Sequence, residues 1–127
     1  MSAKWLGHDV MDNGLTYFGV AATAVHVIDG YVFGESYAAV VARSVGAISV
    51  STGDFSIDTV VNDRRLTMAT KTIPAASNDS SGDLHVAVVD AGTSEVLGVW
   101  EETSDQVITT GNPIQIPPIV AVFNQPT

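Results

Sequence analysis

The chain has 127 residues, no cysteine, and 14 acidic residues against 5 basic ones, for a formal net charge of −9. That length makes one domain able to bury a core unaided, and the lack of thiols excludes disulfide frameworks, thiol catalysis and cysteine-based zinc sites. The acidic balance is opposite in sign to the basic footprint of a nucleic-acid binder, so no nucleic acid is expected as a partner.

Only 15% of residues are charged, while 46% are hydrophobic. Even so, no run reaches the roughly 18 to 20 apolar residues of a membrane span. The longest stretch, from Tyr37 to Val50, is broken by Arg43, Ser44 and Gly46. Lys4 is followed closely by Trp5, His8, Asp9 and Asp12, which does not read as a signal peptide. The chain is therefore expected to stay where it is made, with no membrane partner.

Between Trp5 and Phe18, apolar Leu6, Val10, Met11, Leu15 and Phe18 recur at helical spacing, with Asp9, Asp12 and Asn13 on the other side. This predicts a short amphipathic helix near residues 8 to 18, weakened by Gly14 inside it. The N-terminal segment, residues 1–20, is read as helical and residues 21–127 as a β-sandwich body. After Phe18 the texture turns to short β-rich runs. Strands are predicted over Thr23–Ile28, Tyr31–Phe33, Val45–Ser51, Phe55–Val61, Leu66–Ile73, Leu84–Asp90, Glu95–Trp100, Asp105–Thr109 and Ile114–Phe123, and a helical turn over Ser36–Arg43. Asp29-Gly30, Thr52-Gly53-Asp54 and Gly111-Asn112-Pro113 mark turns, and Pro74 to Asp83 is a polar loop. Pro117-Pro118 cannot donate to a central ladder, so the last strand must carry an edge, a bulge or a corner there. About eight short strands with turns every 8 to 12 residues predict a mostly β fold, a β-sandwich or a jelly-roll-like barrel, after a short N-terminal helix.

The chain carries no sequence pattern for chemistry. His8, His26 and His85 lack any His-x-His or His-x-x-x-His spacing, and His26 and His85 each read as a single residue on the polar face of a strand. No serine lies in a Gly-x-Ser-x-Gly elbow, and no phosphate-binding glycine loop occurs. Arg64-Arg65 reads as a solvated turn. Asp54 and Asp58 lie four apart, and the adjacent Glu101 and Glu102 would point to opposite faces of a strand. Asn78 to Asp83 has alternating oxygen ligands but lacks the twelfth-position Glu of a calcium loop. The expectation is a non-enzymatic protein with no catalytic residue, no metal and no cofactor.

Several segments together resemble one protein family. They are Ala3-Lys4-Trp5-Leu6 with His8 to Asp12 and Leu15 to Tyr17, Ser51 to Ile57, Arg65 to Lys71, Leu84 to Asp90, and Ile108 to Pro117. Their order and spacing resemble small structural proteins encoded beside the major capsid gene of tailed bacteriophages. Some members resemble head decoration, or cement, proteins with a β-sandwich or jelly-roll fold. The stretch from Gly30 to Gly46 departs from the family. The resemblance implies a virion structural protein on the outer surface of the capsid. Its partners would be the major capsid protein and further copies of itself, as dimers or trimers on capsid symmetry axes. A tail or neck component shares this architecture and stays open as an alternative. So does a lectin-like binding module using aromatics such as Trp5, Trp100, Tyr31 and Tyr37, and an enzyme with a carboxylate pair is a third class. Trp5, Leu6, Val10 and Phe18, on one face of the short helix, are the candidate interface residues, docking on the chain's own sandwich or on a neighbouring chain.

Overall fold

A computed structural model describes residues 5–6, 8–60, 63–80, 82–101 and 107–123, and the backbone alone for 5, 6, 8–13, 59, 60, 63 and 123. In chain order the elements are β1 (Trp5–Leu6), α1 (His8–Ala21), β2 (Ala24–Asp29), α2 (Tyr37–Ala42), β3 (Ser44–Ser49), a 3₁₀ turn (Thr52–Asp54), β4 (Phe55–Val60), β5 (Asp63–Met68), β6 (Lys71–Ile73), β7 (Leu84–Asp90), β8 (Glu95–Glu101), β9 (Ile114–Ile116) and β10 (Ile119–Phe123). The fold is mostly β, a sandwich rather than a closed barrel.

The larger sheet has five antiparallel strands in the order β1-β8-β7-β2-β3. Leu84-His85-Val86-Ala87-Val88-Val89-Asp90 runs near its centre and is buried along its whole length. This happens because both faces of the sheet are covered. Val25, Val27, Val86, Val88 and Leu97 join Leu15 and Phe18 of α1 and Leu66, Met68, Ile73, Ile114 and Ile116 of the opposing layer in the main core. On the other face, Ile28, Ala87, Val89, Val96 and Val99 form a second core with Val40 of α2, flanked by Tyr31 and Tyr37. A bulge serves both cores. Val88 pairs with Gly98 but Val89 pairs with Val96, so Leu97 is the extra residue and turns into the main core.

The opposing layer contains β10-β5-β4 and β6-β9. These are one bent ribbon. Met68 pairs with Ile119, and Lys71 pairs with Ile116. The register is therefore unbroken across Ala69-Thr70 on one side and Pro117-Pro118 on the other. The two prolines have no amide hydrogen to give, so the ladder opens at that point and the ribbon turns a corner. What reads as single strands over Leu66–Ile73 and Ile114–Phe123 is thus split into β5/β6 and β10/β9.

Other expectations are corrected. Trp5-Leu6 is not on the helix face: its backbone pairs with Val99 and Gly98 as the edge strand β1. The first twenty residues therefore contribute a strand to the larger sheet as well as a helix. α1 breaks at Gly14, whose φ of 80° is left-handed, and the part after the break presents Leu15 and Phe18 to the core. Tyr31 to Phe33 forms no strand, because its polar groups are satisfied within the turn. The Gly34 amide donates to the Tyr31 hydroxyl at 3.0 Å, and the Val32 amide donates to Glu35 Oε1 at 3.2 Å. Asp63 to Arg65 belongs to β5 rather than to a turn. Val107 to Thr109 is no strand either, and 105–106 lie outside the described residues. Ile108 instead exchanges backbone and hydroxyl bonds with Ser80.

Candidate functional site

The polar side chains are mostly committed to bonds that hold the fold. Arg65 grips Asp58 across the β4/β5 ladder with two bonds, 3.1 Å from Nε and 2.7 Å from Nη2, and holds that carboxyl below the ordinary carboxylate range. Asp54 accepts the Ser51 amide at 2.9 Å and the Lys71 ammonium at 3.2 Å. Those partners, the amide first, lower its pKa. Asp54 and Asp58 therefore serve different partners and form no acid–base pair. Arg43 is tied to Glu35 at 2.9 Å, and Arg64 is also engaged.

The Asn78–Asp83 loop has a structural use. One oxygen of Asp79 accepts both the amide and the hydroxyl of Thr110, at 2.7 and 2.8 Å. Those bonds lower the Asp79 pKa. Further backbone bonds join Ala76 to Gly111 and Asn112. The loop is laced to the 108–112 segment, and no group of three metal-ligating side chains occurs among the described residues.

The two strand histidines do not lie on a solvated face. Both sit on the face of the larger sheet that α2 and Tyr31 cover. His85 is 4% exposed, and its ring stands 5.9 Å from that of Tyr31. Its buried Nδ1 has no hydrogen-bond partner, and the nearest carboxylate oxygen, on Asp83, is 4.0 Å away. His26 Nδ1 lies 2.9 Å from Ser44 Oγ, and burial lowers the pKa of His26. Single-sequence reading misses this contact because the two residues meet diagonally across β2 and β3. Ser44 Oγ also lies within hydrogen-bond reach of the Gly46 carbonyl, at 3.2 Å, so the hydroxyl is shared between the His26 ring and the backbone of β3.

Several large apolar side chains are exposed. A shallow open groove runs between α1 and β4, lined by Leu15, Thr16, Gly19, Val20, Phe55 and Ile57 among others. Val20 is 64% exposed and Ile57 36% exposed at its rim. Val120 and Val122 on β10 are also exposed, as are Val32 and Phe33 in the turn before α2. Gly19 lies where α1 packs on β4: a Cβ there would stand 3.4 Å from the Phe55 Cβ, in van der Waals contact.

Comparison with protein-family models, with curated proteins and with solved structures finds no match.

Of the four candidate interface residues, the side chains of Trp5, Leu6 and Val10 lie outside the described residues. Phe18 is 1% exposed. It makes edge-to-face contacts with Phe55 and Trp100, each at 5.8 Å between ring centres. Phe18 therefore docks α1 on the chain's own sandwich and is not available to a neighbouring chain. Tyr31 and Tyr37 pack on the second core, and Trp100 is half-buried with its indole N–H donating to the Val120 carbonyl at 3.2 Å. None of these three is a free loop-tip aromatic platform. The surface that sequence reasoning missed is the α1–β4 groove. Its apolar lining comes from residues 15 to 66, which no local period connects.

Proposed function

We propose that this protein is a non-enzymatic structural component of a tailed-phage virion, a decoration protein that binds the outer surface of the major capsid protein lattice. The observation that carries the reading is the contrast within its surface. The basic side chains Arg65, Lys71 and Arg43 are paired with Asp58, Asp54 and Glu35, while large apolar side chains stand exposed around the α1–β4 groove and on β10. A cement protein needs a rigid frame and apolar area to bury against its lattice. Pro117-Pro118, the cross-layer Trp100 bond and the doubly covered sheet supply rigidity. The resemblance of Ala3 to Leu6, His8 to Asp12 and Leu15 to Tyr17, of Ser51 to Ile57 and of Ile108 to Pro117 to capsid-neighbour structural proteins is what suggests the major capsid protein as the partner.

The reading invokes neither nucleic acid nor a cofactor. Binding of the purified chain to heads stripped of it is the test. Saturable binding at a fixed ratio to the capsid protein supports the reading. Binding to tails or necks alone would move the protein to that part of the particle.

A further inference from the structure

We infer that β4 is a homodimerisation edge: two copies of this chain pair their β4 strands antiparallel, with Ile57 on the two-fold axis. Among the described residues β4 bonds to β5 alone, leaving its second edge unpaired. The opposite edge of that sheet is different, since the Val120 carbonyl on β10 accepts the Trp100 indole. The sequence of β4, Phe-Ser-Ile-Asp-Thr-Val, contains no Pro and no Lys, two of the residues that keep an edge from pairing. Its one charge, Asp58, is neutralised by the two bonds from Arg65.

The register follows from faces and charges. Ile57 pairs with Leu66 and faces the groove, while Ser56 and Asp58 pair with Thr67 and Arg65 on the outer face. Opposite residues in an antiparallel pair share a face, so the axis must pass through a residue and not between two. With the axis at Asp58, the two Asp58 carboxylates oppose each other. With the axis at Ser56, Asp54 opposes Asp58 of the second copy. Only the axis at Ile57 places Asp58 opposite a serine, Ser56 of the second copy, and brings the two isoleucines together. Like charges directly opposite destabilise a pair, whereas apolar pairs stabilise it. A two-fold axis normal to the sheet also leaves both α1 helices on one side. The Val20 rim of each groove then meets its copy over the axis. The occupant is a second copy because this strand is complementary to itself in one register.

The inference concerns the isolated chain and stands or falls separately from capsid binding. Sedimentation velocity over a concentration series should show reversible dimerisation, weakened by about tenfold or more in Ile57→Lys, which places two ammonium groups on the axis. Ile57 is rim-exposed, so this variant should retain the wild-type circular dichroism spectrum. The chain has no cysteine, so Ile57→Cys gives a clean second measurement. Oxidation should crosslink it into dimers. In Ser56→Cys the two sulfur-bearing residues would lie about 8 Å apart, beyond the roughly 7 Å Cα limit of a disulfide, and this variant should stay uncrosslinked. A wild-type chain that stays monomeric at all concentrations overturns the inference. So does a dimer that Ile57→Lys leaves intact, or one in which Ser56→Cys crosslinks and Ile57→Cys does not.

Discussion

Gly98→Ala should destabilise the protein through Trp100, although the substitution adds only a methyl group. A Cβ at position 98 would stand 2.6 Å from Cη2 and 2.7 Å from Cζ3 of Trp100, and 3.3 Å from Cε2 of Phe18. The indole cannot stay where it is. If it swings out, it gives up its hydrogen bond to Val120, worth about 1 kcal/mol, and its edge contact with Phe18, worth about 0.5 to 1.5 kcal/mol. If it stays and the surroundings yield, overpacking costs about 1 to 3 kcal/mol. Removing a strand glycine returns about 0.5 to 1 kcal/mol. The net loss is about 0.5 to 2 kcal/mol by the first route and about 0 to 2.5 kcal/mol by the second, both centred on roughly 1 kcal/mol. Urea denaturation followed by tryptophan fluorescence and near-ultraviolet circular dichroism reads this directly. In a Trp100→Ala background the obstruction is gone, so Gly98→Ala should there be neutral or slightly stabilising. A loss below about 0.5 kcal/mol in the wild-type background, or the same loss in both backgrounds, would refute the close-packing argument.

Three further outcomes follow from the same geometry. Gly46→Ala should cost up to about 2 kcal/mol, the roughly 1 to 3 kcal/mol of overpacking less the roughly 0.5 to 1 kcal/mol returned by replacing a strand glycine, because its Cβ would press within 3.1 Å of Ile114 and 3.2 Å of Ile73; denaturant midpoints check it. The lowered pKa of His26 means the folded state resists its protonation, so stability should be full above pH 6.5, the ordinary histidine value. It should fall as pH drops through the lowered folded value, and His26→Gln should flatten that part of the profile. Asp79→Ala should release the 74–83 loop from Thr110, seen as faster proteolytic nicking there, whereas added calcium should leave the wild-type melting temperature unchanged.

Much of the fold was legible because strands and turns are written locally. Leu84–Asp90 and Glu95–Trp100 read as strands from β-branched runs, and the Ala91–Ser94 turn reads from its small residues. In the structure that turn is closed by Asp90, which accepts the Gly92 amide and the Thr93 hydroxyl. Pro117-Pro118 announced a corner, because a missing amide hydrogen is a property of the residue itself. The failures concern relations between distant segments. His26 and His85 look like solvent-facing strand positions until α2 is known to cover that face. Trp5 and Leu6 fit a helical period that the chain abandons for pairing with β8. Phe18 fits an outward-facing stripe as well as an inward-facing one, and only the positions of Phe55 and Trp100 decide between them. The α1–β4 groove and the open β4 edge have no sequence signature, since an edge is defined by the neighbour it lacks.

The central claim is that this chain is a stoichiometric part of a phage head. Quantitative mass spectrometry of purified virions tests this most directly, with heads and tails separated before digestion. The account predicts the chain in the head fraction, at a fixed ratio to the major capsid protein and in copy numbers of that order. Its absence from virions, or its confinement to the tail fraction, would contradict the capsid assignment.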